Sequence, residues 1–287
     1  MTRAPLLLQI SDPHFGTEVP TVVRALERLA HEQAPDVLVL SGDITQRATR
    51  RQFADARAFV DGLGIPDVLA IPGNHDIPLF QLGARLLSPY ARYAGAFGED
   101  MAPMFESEAW LVLGVNTTRW YRHEDGEVSE AQISRVAERL ARARPGQVRV
   151  VVTHQPVMAT RPEDASNRLH GRDAAVVRWS AAGADLVLGG HIHLPFVQPL
   201  GHVVPGCPRA LWAVQAGTAV SSRVRSGAPN SVNLIRQPRT DVPDAPVRAC
   251  VVERWDYSAD GDCFARVASH ALPLDTIMTT TTASRSA

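Results

Sequence analysis

The chain is poor in cysteine. Cys207, Cys250 and Cys263 stand far apart among 287 residues, with no Cys-x-x-Cys spacing. An odd count without close pairs argues against a disulfide framework and a zinc ribbon, and the expected compartment is a reducing cytoplasm. The three are expected to be small core or loop residues. An excess of one charge is also lacking. Lys and Arg number 29 against 30 Asp and Glu, for a net charge of −1. No global field therefore draws the chain to nucleic acid or an anionic membrane. No apolar run reaches the roughly 18–20 residues of a membrane helix. The first ten residues hold a short apolar run and no small-residue cleavage pattern, so they read as a first strand and not as a signal peptide. The 5 Trp are scattered without interleaved basic residues, which argues against a nucleic-acid stacking platform.

What is present is an alternation of short apolar runs and helical periods. Residues 6–10, 37–40 and 68–71 read as buried strands, separated by helical patterns over 21–33 and 49–62. Thr49-Arg50-Arg51-Gln52 and Ser129-Glu130-Ala131-Gln132 fit capping boxes, in which the hydroxyl and the amide each satisfy a free backbone N–H. The order βαβαβ is that of a parallel sheet with right-handed crossovers. Residues 77–105 are expected to hold helical pieces flanking the site. Further strands are expected at 110–115, 149–153 and 186–188, with a long polar loop over 155–172 and a helix over 173–182. Beyond Pro195, short apolar segments alternate with Pro/Gly-rich turns and read as antiparallel strands. The expected whole is one domain over residues 1–275, with a parallel αβ half and a largely antiparallel half. Residues 276–287 are expected to be a flexible tail.

Five stretches share one logic, an apolar strand followed by metal-type ligands at its carboxyl end. They are Ser11-Asp12-Pro13-His14, Ser41-Gly42-Asp43, Gly73-Asn74-His75-Asp76, Thr153-His154-Gln155-Pro156 and Gly189-Gly190-His191-Ile192-His193. Parallel strands carry such ends to one edge of a sheet, where open α/β proteins place their chemistry. The donors are nitrogen and oxygen, which suits Mn, Fe or Zn and neither Ca nor a thiolate site. In Asp12-x-His14, positions i and i+2 of an extended chain point to one side, and His191-x-His193 repeats the spacing. Asp43 on its short loop is compact enough to bridge two ions about 3.5–4 Å apart. Singly each motif is weak. A lone Asp-x-His is ordinary surface chemistry, and a lone buried His154 is more often a hydrogen-bonded core residue. All five in order, each after a strand, point to a phosphate held by metals.

With these residues in hand, the sequence resembles the calcineurin-like metallophosphoesterases, whose pattern is Asp-x-His, Gly-Asp, Gly-Asn-His-Asp/Glu, a later His and Gly-His-x-His. The resemblance covers about residues 6–235. It implies a four-layer α/β/β/α sandwich with mixed sheets. It implies two divalent or trivalent metal ions, one held by Asp12, His14, Asp43 and His193, the other by Asp43, Asn74, His154 and His191. Asn74 and His75 would bind substrate, with His75 above the pair as acid or phosphate-binding group. The Ser-Asp-Pro-His-Phe and Gly-His-Ile-His forms look most like the bacterial branch containing class III cyclic nucleotide phosphodiesterases. Protein phosphatases of the superfamily carry Gly-Asp-x-x-Asp-Arg. Here Asp43 is followed by Ile44-Thr45-Gln46-Arg47, without the second Asp. The carboxylate that would orient His75 is then unidentified, since Asp76 is adjacent and consecutive side chains diverge.

The expected activity is hydrolysis of a small phosphodiester, with 3′,5′-cyclic nucleotides as the first guess, by a hydroxide activated between the two ions. Alternatives are a phosphomonoesterase, a nuclease or a non-catalytic metal-binding scaffold. The expected partner is the small substrate, without membrane or nucleic acid, and a homodimer stays open. Arg168, His170 and Arg172 in the 155–172 loop could reach over the site to phosphate or base, the alternative being a solvated loop with ordinary charges. Asn116-Thr117-Thr118 is expected to give structural support. Residues 216–223 and 229–233 are rich in small residues and amides, with no contact assignable from sequence.

Overall fold

Alternate residues of the first strand face two different cores. In β1 (Leu6–Ile10), Leu6, Leu8 and Ile10 pack outward against helices, while Leu7 packs inward. The strands β2 (Val37–Ser41) and β6 (Val148–Val152) follow the same period of two. Val37 and Val39 point inward and Leu38 and Leu40 outward; Val148, Val150 and Val152 point inward and Val151 outward. A strand covered on both faces must be apolar throughout, which is why these runs lack polar alternation.

The computed structural model describes residues 3–79, 81–122, 124–237 and 248–274. The expected tail over 276–287 lies outside the described residues. Two six-stranded sheets face each other. The first contains β1, β2 and β3 (Asp67–Ile71) in parallel. It continues antiparallel through β10 (Ser231–Arg236), β11 (Ala249–Ser258) and β12 (Cys263–Pro273). The second has β5 (Trp110–Gly114), β6, β7 (Leu186–Gly189) and β9 (Trp212–Gln215) in parallel. Its edges are the antiparallel β4 (Met104–Glu106) and β8 (Phe196–Pro199).

Helices α1 (Pro20–Gln33), α2 (Arg50–Gly62) and α4 (Ala91–Phe97) cover the first sheet. Helices α5 (Glu130–Leu140) and α6 (Arg172–Ala181) cover the second. The short α3 (Leu82–Leu87) buries none of its residues. The expected α/β/β/α sandwich with mixed sheets is borne out. Both capping boxes form, with Thr49 and Ser129 accepting from the backbone N–H of Gln52 and Gln132. The expected division into a parallel and an antiparallel half is not what forms. Each sheet mixes both senses, and β9 pairs parallel to β7. Cys207 and Cys250 are buried and Cys263 is exposed, all three with free thiols.

Candidate metal centre

The carboxyl ends of the parallel strands from both sheets meet at one edge of the sandwich. Asp12 and His14 follow β1, Asp43 follows β2, and Asn74 and His75 open a single 3-10 turn after β3 (Asn74–Asp76). The second sheet supplies His154 after β6, and His191 and His193 after β7. All eight predicted residues come together.

They fall into two groups that share Asp43. Asp12, His14 and His193 each offer one ligand atom within 4.8 Å of the others, and Asp43, His154 and His191 do the same. The Nε2 atoms of His14 and His193 are 3.1 Å apart, and Asp12 Oδ1 is 3.3 Å from His193 Nε2. Asp43 turns one oxygen to each group, with Oδ2 3.7 Å from His14 Nε2 and Oδ1 3.2 Å from His154 Nε2. Asn74 Oδ1 lies 3.1 Å from His154 Nε2. His75 also comes within 4.8 Å of His14 and Asp43 by one ring nitrogen. Its ring stands edge-on to His14, with centroids 4.9 Å apart.

The backbone under these side chains is unusual. Among the described residues, eight non-glycine residues adopt positive φ, and five of them are Asp12, His14, Asp43, His191 and His193. Asp12-x-His14 therefore converges through left-handed turns and not through an extended chain. Each such residue costs on the order of 1–3 kcal/mol, and strain held at one spot marks a functional constraint. Close packing fixes the turns. A Cβ on Gly73 would stand 2.1 Å from Asp43 N, and one on Gly190 would stand 1.9 Å from Ser11 Oγ.

Burial and charge set the protonation of these side chains. Burial holds His14 down at about 3 and His191 at about 4, so both rings are neutral. Burial also opposes charge on His154, but Asp43 outweighs it and lifts the ring to about 9. His193 is likewise raised, as Asp12 overcomes burial. Against their own burial, Asp12 is lowered to about 2 beside His193, and Asp43 is held well below the carboxylate range, chiefly by His154. The two buried carboxylates thus raise the rings nearest to them, His154 and His193, against the burial that lowers His14 and His191.

A family model described as calcineurin-like phosphoesterase matches residues 6–195. The chain belongs to that family. Its members are metal-dependent hydrolases of phosphoesters. A protein of a Synechococcus strain, named a probable cyclic nucleotide phosphodiesterase, is 29% identical over 181 residues, 62% of this chain and 66% of that relative's length. Among solved structures, a dimetal phosphatase from Danio rerio aligns over 96% of this chain and 100% of its own, with a TM-score of 0.65 and 12% identity. The purple acid phosphatase of yellow lupin seeds aligns over 99% of this chain and 58% of its own, with a TM-score of 0.67 and 13% identity. At such identities the two structures speak for the fold.

The residues fit the divalent ions that the family binds. His154 Nδ1 donates to the Ser41 carbonyl at 2.9 Å and His193 Nδ1 to the Arg223 carbonyl at 2.8 Å. Each ring is thereby fixed with Nε2 toward the carboxylates, the arrangement by which metal-ligating histidines are oriented. The N/O donor set suits transition ions. Among the described residues no helix is long and apolar enough to cross a membrane.

Asp76 has a role that sequence reasoning missed. It does not touch His75. Its buried carboxylate accepts from Gly73 N at 2.8 Å, Ile44 N at 3.0 Å, and Thr45 N and Oγ1 at 2.8 and 2.9 Å. Burial, then the Asp43 charge, raises it to about 6 against those donors. Asp76 thus pins the Asp43 loop to the 73–76 turn. Asp76→Ala would strand three buried N–H groups, and a stability loss of about 3 kcal/mol is expected together with weaker metal binding. Denaturant unfolding and metal titration check this; unchanged values for both would remove the pinning role. Among the described residues no carboxylate bonds to the His75 ring. The Gln46 carbonyl does, 3.0 Å from Nδ1.

Other expectations resolve equally plainly. Arg168 bonds to the Ala165 carbonyl, His170 faces Asp125 and Arg172 faces Asp173, so none reaches the centre. The loop instead sends Asp164 to Arg225. Thr117 and Thr118 bond to Gln155 and Asn116 as structural support. The 216–233 segment, unassigned from sequence, wraps the His191–His193 turn. Thr218 Oγ1 donates to the Asp12 carbonyl at 2.6 Å, and Asn230 Nδ2 to the Ser221 carbonyl at 2.8 Å.

Proposed function

We propose that the chain is a dinuclear metal-dependent phosphodiesterase for small phosphodiesters, with 3′,5′-cyclic nucleotides as the first substrates to test. The observation that carries this is Asp43, with one carboxylate oxygen toward Asp12, His14 and His193 and the other toward His154, His191 and Asn74. Two Mn, Fe or Zn ions held there would supply Lewis-acid charge to a phosphoryl oxygen and lower the pKa of water. Asp12, His14, Asp43 and His193 would hold one, and Asp43, Asn74, His154 and His191 the other. Asn74 also offers its amide to a non-bridging oxygen. His75, held at Nδ1 by the Gln46 carbonyl and with Nε2 beside Arg223, would donate to the leaving oxygen from its protonated form.

A cavity of about 300 Å³ opens beside Asn74 and His75, lined by Arg47, Ile77, Pro78, Leu79 and Arg92. That volume suits one small organic group. The Synechococcus relative's name supports a phosphodiester. With Mn added, bis(p-nitrophenyl) phosphate is expected to turn over faster than p-nitrophenyl phosphate, with cyclic nucleotides also cleaved and all activity lost to a chelator. Faster monoester turnover would favour a phosphomonoesterase. No turnover with any metal would contradict catalysis and favour a scaffold.

A further inference from the structure

Two arginines two positions apart are used in opposite ways. Arg225 is committed to structure. Its Nη1 lies 2.7 and 2.9 Å from the two Asp164 oxygens and 3.1 Å from the Ile192 carbonyl, and its Nη2 lies 3.4 Å from Glu163. Arg223 has no carboxylate partner among the described residues. Only its Nη1 is engaged, donating to Gln46 Oε1 at 2.9 Å and to His75 Nε2 at 3.2 Å. The three N–H groups on Nε and Nη2 have no bonded partner among the described residues, and the residue is exposed.

The backbone of Arg223 ties it to the centre from the other side. Its carbonyl accepts from His193 Nδ1 at 2.8 Å, and its N–H donates to Ser221 Oγ at 3.2 Å. One residue therefore touches a member of the Asp12 group and also His75. An exposed, always-charged planar fork without a counter-charge, at the mouth of a centre read as binding phosphoesters, has the shape and charge that a phosphoryl group requires.

We propose that Arg223 is a substrate-binding catalytic residue whose guanidinium grips the non-bridging phosphoryl oxygens beside His75. The proposal rests on the phosphodiesterase reading above. The guanidinium is held by Gln46 Oε1 and His75 Nε2, neither of them a carboxylate. A phosphoryl oxygen is anionic, and it adds to the hydrogen bond a Coulombic attraction to the guanidinium that an uncharged acceptor lacks. Substrate therefore draws Arg223 away from Nε2, which is then free to take a proton from water and pass it to the leaving oxygen. The residue delivers the anion and uncovers His75 in one exchange.

The test compares Arg223→Ala and Arg223→Lys with the wild-type chain, each loaded with Mn. Inorganic phosphate is titrated calorimetrically, bis(p-nitrophenyl) phosphate turnover is measured, and metal content and melting temperature are recorded. Arg223→Ala is expected to weaken phosphate binding about 10-fold and to lower kcat/KM about 10²-fold. Metal content and melting temperature should stay at wild-type values. Arg223→Lys should recover part of the loss, and added guanidinium should partly restore Arg223→Ala but not stimulate the wild type. Phosphate affinity and kcat/KM both within about threefold of wild type, which falls short of one charged hydrogen bond, would overturn the proposal. So would a loss that tracks loss of metal, since that assigns the effect to the His193 contact. A wild-type chain that binds phosphate through Arg223 but hydrolyses no ester would support the Arg223 site and contradict only the phosphodiesterase reading.

Discussion

Asp43→Ala is expected to abolish metal-dependent turnover, by about 10³-fold or more, and to reduce bound metal from two ions to at most one. The carboxylate is buried and faces both ligand groups at once, through Oδ2 toward His14 and Oδ1 toward His154. No neighbour can replace it. Asp12 faces His193 and His14, and Asp76 is occupied by four donors, the backbone N–H groups of Ile44, Thr45 and Gly73 and the Thr45 hydroxyl. Paired ions supply several kcal/mol of transition-state stabilisation, and each 1.36 kcal/mol is a factor of ten in rate. The substitution also strands the His75 N–H, which donates to Asp43 Oδ1 at 2.8 Å. A modest loss of stability is expected besides. Unfolding curves separate that loss from the catalytic one, because a folded variant that still binds one ion and turns over nothing isolates the shared carboxylate.

His75→Ala is expected to lower turnover about 10²- to 10⁴-fold while leaving both ions bound. The ring lies near His14 and Asp43, so a ligand role is the competing assignment. The contact of Nε2 with Arg223 supports the acid role, and Nδ1 is engaged by the Gln46 carbonyl. Steady-state kinetics with parallel metal analysis checks the prediction. Loss of one ion would make His75 a ligand, and full activity on an unactivated ester would remove it from the chemistry.

What could be read from the sequence, and what could not, divides along a physical line. The strands were legible because burial on both faces demands continuous apolar runs such as Leu6-Leu7-Leu8 and Val150-Val151-Val152. The grouping of Asp12, His14, Asp43, Asn74, His75, His154, His191 and His193 was legible because parallel strands deliver their carboxyl ends to one edge. Contacts to backbone atoms were not. Nothing in a residue pattern says that His75 takes its orientation from the carbonyl of Gln46, or that Asp76 bonds to Ile44 and Thr45 across 31–32 positions. The parallel sense of β9 was hidden because a short apolar run carries no mark of its partner's direction. Arg223 carried a faint signal, a single basic residue closing the small-residue stretch from Ala216 to Ser222. The pairing that gives it meaning appears only with the fold.

The central claim is that Asp43 is shared between two metal ions. The most direct measurement is metal analysis of the purified, Mn-reconstituted chain beside its Asp43→Ala variant, with dissociation followed by calorimetric titration. The account predicts two ions per wild-type chain, both removed by chelation together with phosphodiester hydrolysis, and no more than one in the variant. A single ion in the fully active wild-type chain, or two ions and full activity in Asp43→Ala, would contradict it.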